Sequence, residues 1–121
     1  MSFPEHARAA AVSGAHVVLY PAAFATGTEH RAAVYLRARA LENTVYTVFC
    51  NALGGPVHRP CDGAGAVYGP DGATVSHAEP GQDTVLFADL DPRTLTRVRG
   101  HLRMLAEHRA AVASGRVAEP S

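Results

Sequence analysis

The chain is 121 residues long, 47% apolar and formally neutral, with eleven basic residues balancing eleven acidic ones. That length allows one domain or part of one, and the apolar share excludes a disordered chain. The interspersed, balanced charge removes any electrostatic basis for binding nucleic acid or an anionic membrane. All the basic residues are arginine; the sequence contains no lysine.

Pro4 to Ser13 reads as a short helix, with proline in its first turn and Gly14 as its stop. A strand from Ala15 to Tyr20 follows and ends at Pro21. The next helix, Thr28 to Asn43, has Thr26 or Thr28 as cap and Glu29 at the positive end of its dipole. Val45 to Cys50 is then a strand apolar on both alternating faces, the pattern of a strand in the middle of a layered structure, with Cys50 a buried, reduced thiol. Gly54-Gly55-Pro56 opens a loop to Gly63, and Ala64 to Tyr68 and Ala73 to Ser76 form a hairpin around Gly69-Pro70-Asp71-Gly72. Thr84 to Asp89 is predicted as a further strand. Asp91-Pro92 starts a final helix whose Leu95, Val98, Leu102 and Leu105 make an apolar stripe, with Gly100 as a point of bending. Residues 115–121 form a polar, flexible tail.

Chemistry contained within the chain is sparse. Two cysteines make no disulfide framework. Cys50, His58 and Cys61 lack paired zinc-ligand spacing, so no metal is expected; Cys61 beside His58 reads as a loop thiol next to a solvent histidine rather than a nucleophile–base dyad. The Gly63–Gly69 stretch enters a strand rather than a helix and is no phosphate cradle. No run of about 20 apolar residues exists to span a membrane. Ala9 to Ala25 ends in a small-x-small pattern, but Glu5, Ser13-Gly14, His16 and Pro21 spoil a signal peptide, and a cytoplasmic chain is expected. Alanine-, arginine-, glycine- and proline-rich usage without lysine suits a GC-rich bacterial genome.

An ordered set of segments carries a resemblance over residues 3 to 109. It comprises the Phe3-Pro4-Glu5-x-x-Arg8 helix start, the strand ending in Pro21, and the Arg37-Ala38-Arg39-Ala40-Leu41-Glu42-Asn43 junction. Asn51-Ala52-Leu53-Gly54, then Pro70-Asp71-Gly72 and Leu86-Phe87-Ala88-Asp89-Leu90-Asp91 complete the set. The chain resembles the carbon–nitrogen hydrolase (nitrilase/amidase) superfamily, with departures at Cys61, where an aromatic is common, and at Gly65, where serine is.

The resemblance implies an α/β fold, half of an α-β-β-α sandwich with about five strands and three helices, spanning residues 1–114. It also implies hydrolysis of amide or nitrile carbon–nitrogen bonds by a Glu-Lys-Cys triad without a cofactor. The family's cysteine would fall just ahead of Met1, with its glutamate and lysine further upstream, so no catalytic residue is expected in this chain. Glu5 and Arg8 are expected to support the nucleophile turn, and Ala22, Ala23 and Phe24 to wall the substrate pocket. Arg37, Arg39, Glu42 and Asn43 are expected to form a structural or dimer network.

The expected function is that of a truncated, C-terminal hydrolase fragment, inactive alone, that forms a homo-oligomer or joins a complementing N-terminal half. A non-catalytic dimerisation or interaction module derived from the family is the alternative. Amide, nitrile, carbamoyl and ureido substrates all remain open.

Overall fold

The computed structural model describes residues 1–119. Its elements run α1 (Pro4–Val12), β1 (Val17–Ala22), α2 (His30–Asn43), β2 (Tyr46–Asn51), β3 (Leu53–Gly54), β4 (Cys61–Tyr68), β5 (Thr74–Pro80), α3 (Pro92–His101) and α4 (Met104–Ala113). The strands form one sheet. β1 lies parallel to β2, β4 antiparallel to β2, and β5 antiparallel to β4, while β3 continues beside β4 past the end of β2. This is the expected α/β architecture.

The sheet has two unequal faces. Thr47, Phe49 and Asn51 of β2 point toward α2. Phe49, Ala66 and Tyr68 pack there with the wholly buried Ala32, Leu36 and Ala40, and Thr47 Oγ1 donates to the Leu36 carbonyl at 3.0 Å. The opposite face is covered at one end only, where Tyr46 and Val67 meet Leu95 of α3 and Leu86. Toward the other end Leu19 is 67% exposed and Cys50 is exposed as well. The burial expected for Cys50 is therefore corrected. Alternation correctly made both faces of β2 apolar, but nothing within the described residues covers the far end of this one.

Several boundaries move for physical reasons. Pro21 lies inside β1 rather than ending it: β1 is an edge strand whose His16 and Ala22 carbonyls accept from the β2 side, so the alternate residue Pro21 turns its nitrogen outward and removes no bond from the ladder. α2 starts at His30, and neither Thr26 nor Thr28 caps it; the Thr28 hydroxyl donates to the Ala25 carbonyl instead. Thr84 to Asp89 is not a strand. The segment crosses the open sheet face, where Leu86 packs inward while Val85 and Phe87 are 75% and 82% exposed. Alternation is thus kept although no neighbouring strand pairs with it, and Leu53–Gly54 supplies the fifth strand.

The described residues form four helices rather than about three. The last predicted helix breaks at Leu102, whose backbone is extended (φ −98°, ψ 96°), and Gly100 stays inside α3. Leu95 is needed on the open face of the sheet, whereas Leu105 packs with Ala11 and Val45 on the helical side. One straight rod could not reach both. Asp91 starts α3 as expected, its Oδ1 accepting from the Arg93 amide at 2.9 Å, and hydrogen bonding from the Arg93 side chain and amide lowers its pKa. The hairpin turn also forms, with Gly72 at φ 78°. After Ser114 the chain turns back, and Ala118 and Glu119 come to lie beside Glu5; Pro120 and Ser121, part of the expected tail, lie outside the described residues.

Two apolar residues of α2 should behave oppositely. Leu36→Ala empties a fully enclosed site and is expected to cost about 2–5 kcal/mol. Val34→Ala, at a position 69% exposed, should change stability by less than about 0.5 kcal/mol. Urea denaturation of the two variants measures both.

Candidate functional site

Three stretches converge at one end of the molecule: the first residues of the chain, the carboxyl end of β1, and the C-terminal half of α2. Met1, Tyr20, Ala22 and Phe24 all pack against the α2–sheet core. Arginine side chains hold this arrangement by donating to backbone carbonyls, an interaction well suited to the planar, multi-donor guanidinium.

Arg39, 8% exposed, is its centre. Its Nε donates to the Met1 carbonyl at 3.2 Å, Nη2 to the Ser2 carbonyl at 3.1 Å, and Nη1 to Glu42 Oε1 at 3.0 Å. Arg8 reaches from α1, its Nη2 donating to the Glu42 carbonyl at 2.9 Å. Asn43 Nδ2 donates to the Arg39 carbonyl at 2.9 Å, so Arg8, Arg39, Glu42 and Asn43 form one cluster. Arg37 is not part of it; its Nε donates to the Gly72 carbonyl at 2.9 Å and fastens the β4–β5 turn to α2.

Glu5 makes no ion pair with Arg8 among the described residues, although both line a cleft of about 390 Å³ with Pro4, Glu42 and His108. Arg8 Nη1 and His108 Nε2 are buried there without a hydrogen-bond partner among the described residues. Burial lowers the Arg8 pKa, partly offset by the negative charge of Glu42. Burial also raises the pKa of Tyr20, with Arg39 opposing the shift and Glu42 adding to it.

Ala22, Ala23 and Phe24 form the turn leaving β1. The Phe24 ring meets Phe49 edge-on, centroids 6.0 Å apart at 80°. Asn51, 7% exposed, bonds Phe24 twice: Oδ1 accepts from the Phe24 amide at 2.6 Å and Nδ2 donates to its carbonyl at 3.1 Å. Ala25 bridges to Cys61, and the Thr26 amide donates to the Pro60 carbonyl at 3.0 Å. From the sequence, Asn51 stands out only as the first residue of the Asn51-Ala52-Leu53-Gly54 segment and carries no expected role. The available signal was a polar amide closing a strand that is otherwise apolar on both faces.

The two cysteines stay apart, Cys50 opposite Gly65 and Cys61 opposite Gly54. Among the described residues no three His, Cys, Asp or Glu side chains gather as a metal site, and no helix is long and apolar enough to cross a membrane.

The sequence pattern of the carbon-nitrogen hydrolase family matches residues 1–100, and the chain belongs to that family. It is 32% identical over 113 residues to a deaminated glutathione amidase of Escherichia coli O157:H7, covering 92% of this chain and 41% of that protein. It superposes on Saccharomyces cerevisiae Nit3, a member of branch 10 of the nitrilase superfamily, with a TM-score of 0.75 at 32% identity, covering 82% of this chain and 37% of Nit3. It superposes also on an amidase from Nesterenkonia sp. AN1, a mutant with an acetamide moiety covalently attached at the active-site cysteine. There the TM-score is 0.70 at 31% identity, over 95% of this chain and 40% of the amidase. The chain thus spans well under half the length of each of these three relatives.

Arg39→Ala strands two backbone carbonyls and a carboxylate, and is expected to cost about 1–3 kcal/mol. Arg39→Lys should recover only part of this, since an ammonium lacks the planar fork that serves three acceptors in different directions. Urea midpoints of the three proteins give the comparison.

Proposed function

We propose that this chain forms the C-terminal half of an amide-hydrolysing enzyme, and that the Glu-Lys-Cys triad is supplied by sequence other than these 121 residues. The observation that carries this reading is the sheet. One face is packed against helices, while the other leaves Leu19, Cys50 and a cleft of about 440 Å³ open to receive another layer. Exposed apolar surface of this kind marks a partner-binding face, and the family resemblance implies a second sheet as that partner. The absence of lysine supports the second part of the reading, because no residue here can supply the triad's ammonium.

In the assembled enzyme the glutamate takes the proton of the cysteine thiol, the resulting thiolate attacks the amide carbonyl carbon, the lysine stabilises the oxyanion, and the glutamate returns the proton to the departing amine. The amine leaves, and water then hydrolyses the thioester to release the acid. This chain contributes the helix start at Pro4–Glu5, the Arg39 clamp on Met1 and Ser2, and the wall from Ala22 to Phe24. Amides are favoured over nitriles because two of the similar proteins named above are amidases. The outer faces of α1 and α2 pack against a second copy in this reading, and a cytoplasmic setting suits the two free thiols.

Alone, the 121-residue chain is expected to hydrolyse no aliphatic amide. Extending expression into the reading frame upstream of the Met1 codon tests the rest. A cysteine encoded a few residues ahead of Met1, with lysine and glutamate further up, should give an amidase that iodoacetamide inactivates. In that assembly maleimide labelling of Cys50 should slow by about tenfold or more, because reaction must then wait for local opening. A stop codon immediately upstream, unchanged Cys50 labelling when N-terminal halves of relatives are added, and no hydrolysis would leave a non-catalytic interaction module instead.

A further inference from the structure

Asn51 closes β2, and its register partner Ala22 closes β1. At that pair the strands still share a main-chain bond, the Ala52 amide donating to the Ala22 carbonyl at 2.8 Å. Two residues past the end of β1, at Phe24, the contact passes to a side chain. Asn51 Oδ1 receives the Phe24 N–H and Nδ2 donates to the Phe24 carbonyl, so one planar amide serves both polar groups of one residue, as a neighbouring strand would. This task requires one acceptor and one donor on a rigid plane, one methylene from the backbone. Aspartate has no donor, serine has a single oxygen, and glutamine is longer by a carbon. The amide is buried, so breaking these bonds would leave polar groups without solvent to replace them.

We propose that Asn51 is a positioning residue for substrate: it fixes the Ala22–Phe24 turn in the single conformation that forms the pocket wall. It acts through Phe24 and touches no reacting group. Two other anchors, the Ala25–Cys61 bridge and the bonds from Thr26 to the Pro60 carbonyl and Asp62 Oδ1, lie beyond Phe24 and hold the far end of the turn. The near end is held by β1 itself. Between them Asn51 holds the main chain at Phe24, and with it the Phe24 ring against Phe49. The inference rests on the hydrolase reading only in taking this turn as the substrate wall.

Asn51→Ala removes both bonds, and Asn51→Asp keeps the acceptor for the Phe24 amide while losing the donor. In the 121-residue chain, amide hydrogen exchange at Phe24 should be about tenfold faster or more in Asn51→Ala, the scale of a lost buried hydrogen bond. Exchange at the core amides of Leu36 and Val45 should stay as in the parent, and Asn51→Asp should fall between the two. Unchanged Phe24 exchange, or Phe24 and core amides accelerating together, overturns the proposal. If Asn51→Ala does not fold, the Asn51→Asp comparison carries the same test.

In the assembled amidase both variants should raise KM with little change in kcat, Asn51→Asp the less. A fall in kcat at constant KM overturns the positioning role. An assembled parent enzyme that hydrolyses no amide sinks the hydrolase reading itself, while the exchange pattern still decides whether Asn51 holds Phe24.

Discussion

The reversal from α2 into β2 is made by Asn43, Thr44 and Val45, all without solvent exposure. Thr44 stands in the left-handed region at φ 48°, an unfavourable place for a β-branched residue. The chain holds it there because other elements are fastened to the same point. The Val45 amide donates back to the Ala40 carbonyl and closes the helix in the manner of a Schellman turn. Arg99 of α3 donates to the Thr44 carbonyl at 3.0 Å, Arg8 of α1 to the Glu42 carbonyl, and Leu105 of α4 packs on Val45. All the other helices therefore dock on the corner where α2 turns into the sheet.

That corner also explains the use of arginine. Arg8, Arg37, Arg39, Arg99 and Arg109 each donate to backbone carbonyls of a distant segment. Several of these acceptors sit at helix C-termini, where carbonyls lack intrahelical partners and the helix dipole favours a cation. A guanidinium with several donors in one plane links two such segments at once, which a single ammonium does less well. Burial lowers the pKa of Arg8 and Arg99, yet an arginine keeps its charge at any physiological pH. In a lysine-free chain these cross-links tie the first residues, α1, α3, α4 and the β4–β5 turn to one another and to the C-terminal half of α2.

The same geometry separates the two faces of the sheet by role. The helical face is complete, with alanines of α2 allowing close approach to Phe49 and Tyr68. Among the described residues the other face is closed by α3 and Leu86 at one end and left open at the other, whereas the start of the chain packs on the helical side together with Tyr20, Ala22 and Phe24. The positions expected to support the nucleophile turn (Glu5, Arg8) and to form a structural or dimer network (Arg37, Arg39, Glu42, Asn43) do not act as two separate groups. Arg39, Glu42, Asn43 and Arg8 share one network, Arg37 serves the hairpin turn, and Glu5 stands free of Arg8 among the described residues.

Much of the architecture was legible in the amino-acid order because it depends on local chemistry. Proline and glycine at helix boundaries, Asp91-Pro92 at a helix start, Pro70-Asp71-Gly72 in a turn and the two-sided apolar pattern of β2 each specify an element whatever lies around it. The order of those elements also pointed to the family. What covers each face is not encoded locally, and the larger misplacements lie there. Leu86 alternates with its neighbours as a strand residue would, yet its segment crosses a sheet instead of joining it. Cys50 is apolar in pattern but uncovered in space. The break at Leu102 answers to two cores on opposite sides of the sheet, and the role of Asn51 depends on where β1 leaves its neighbour. Periodicity states which side chains share a face; only tertiary packing decides what that face meets.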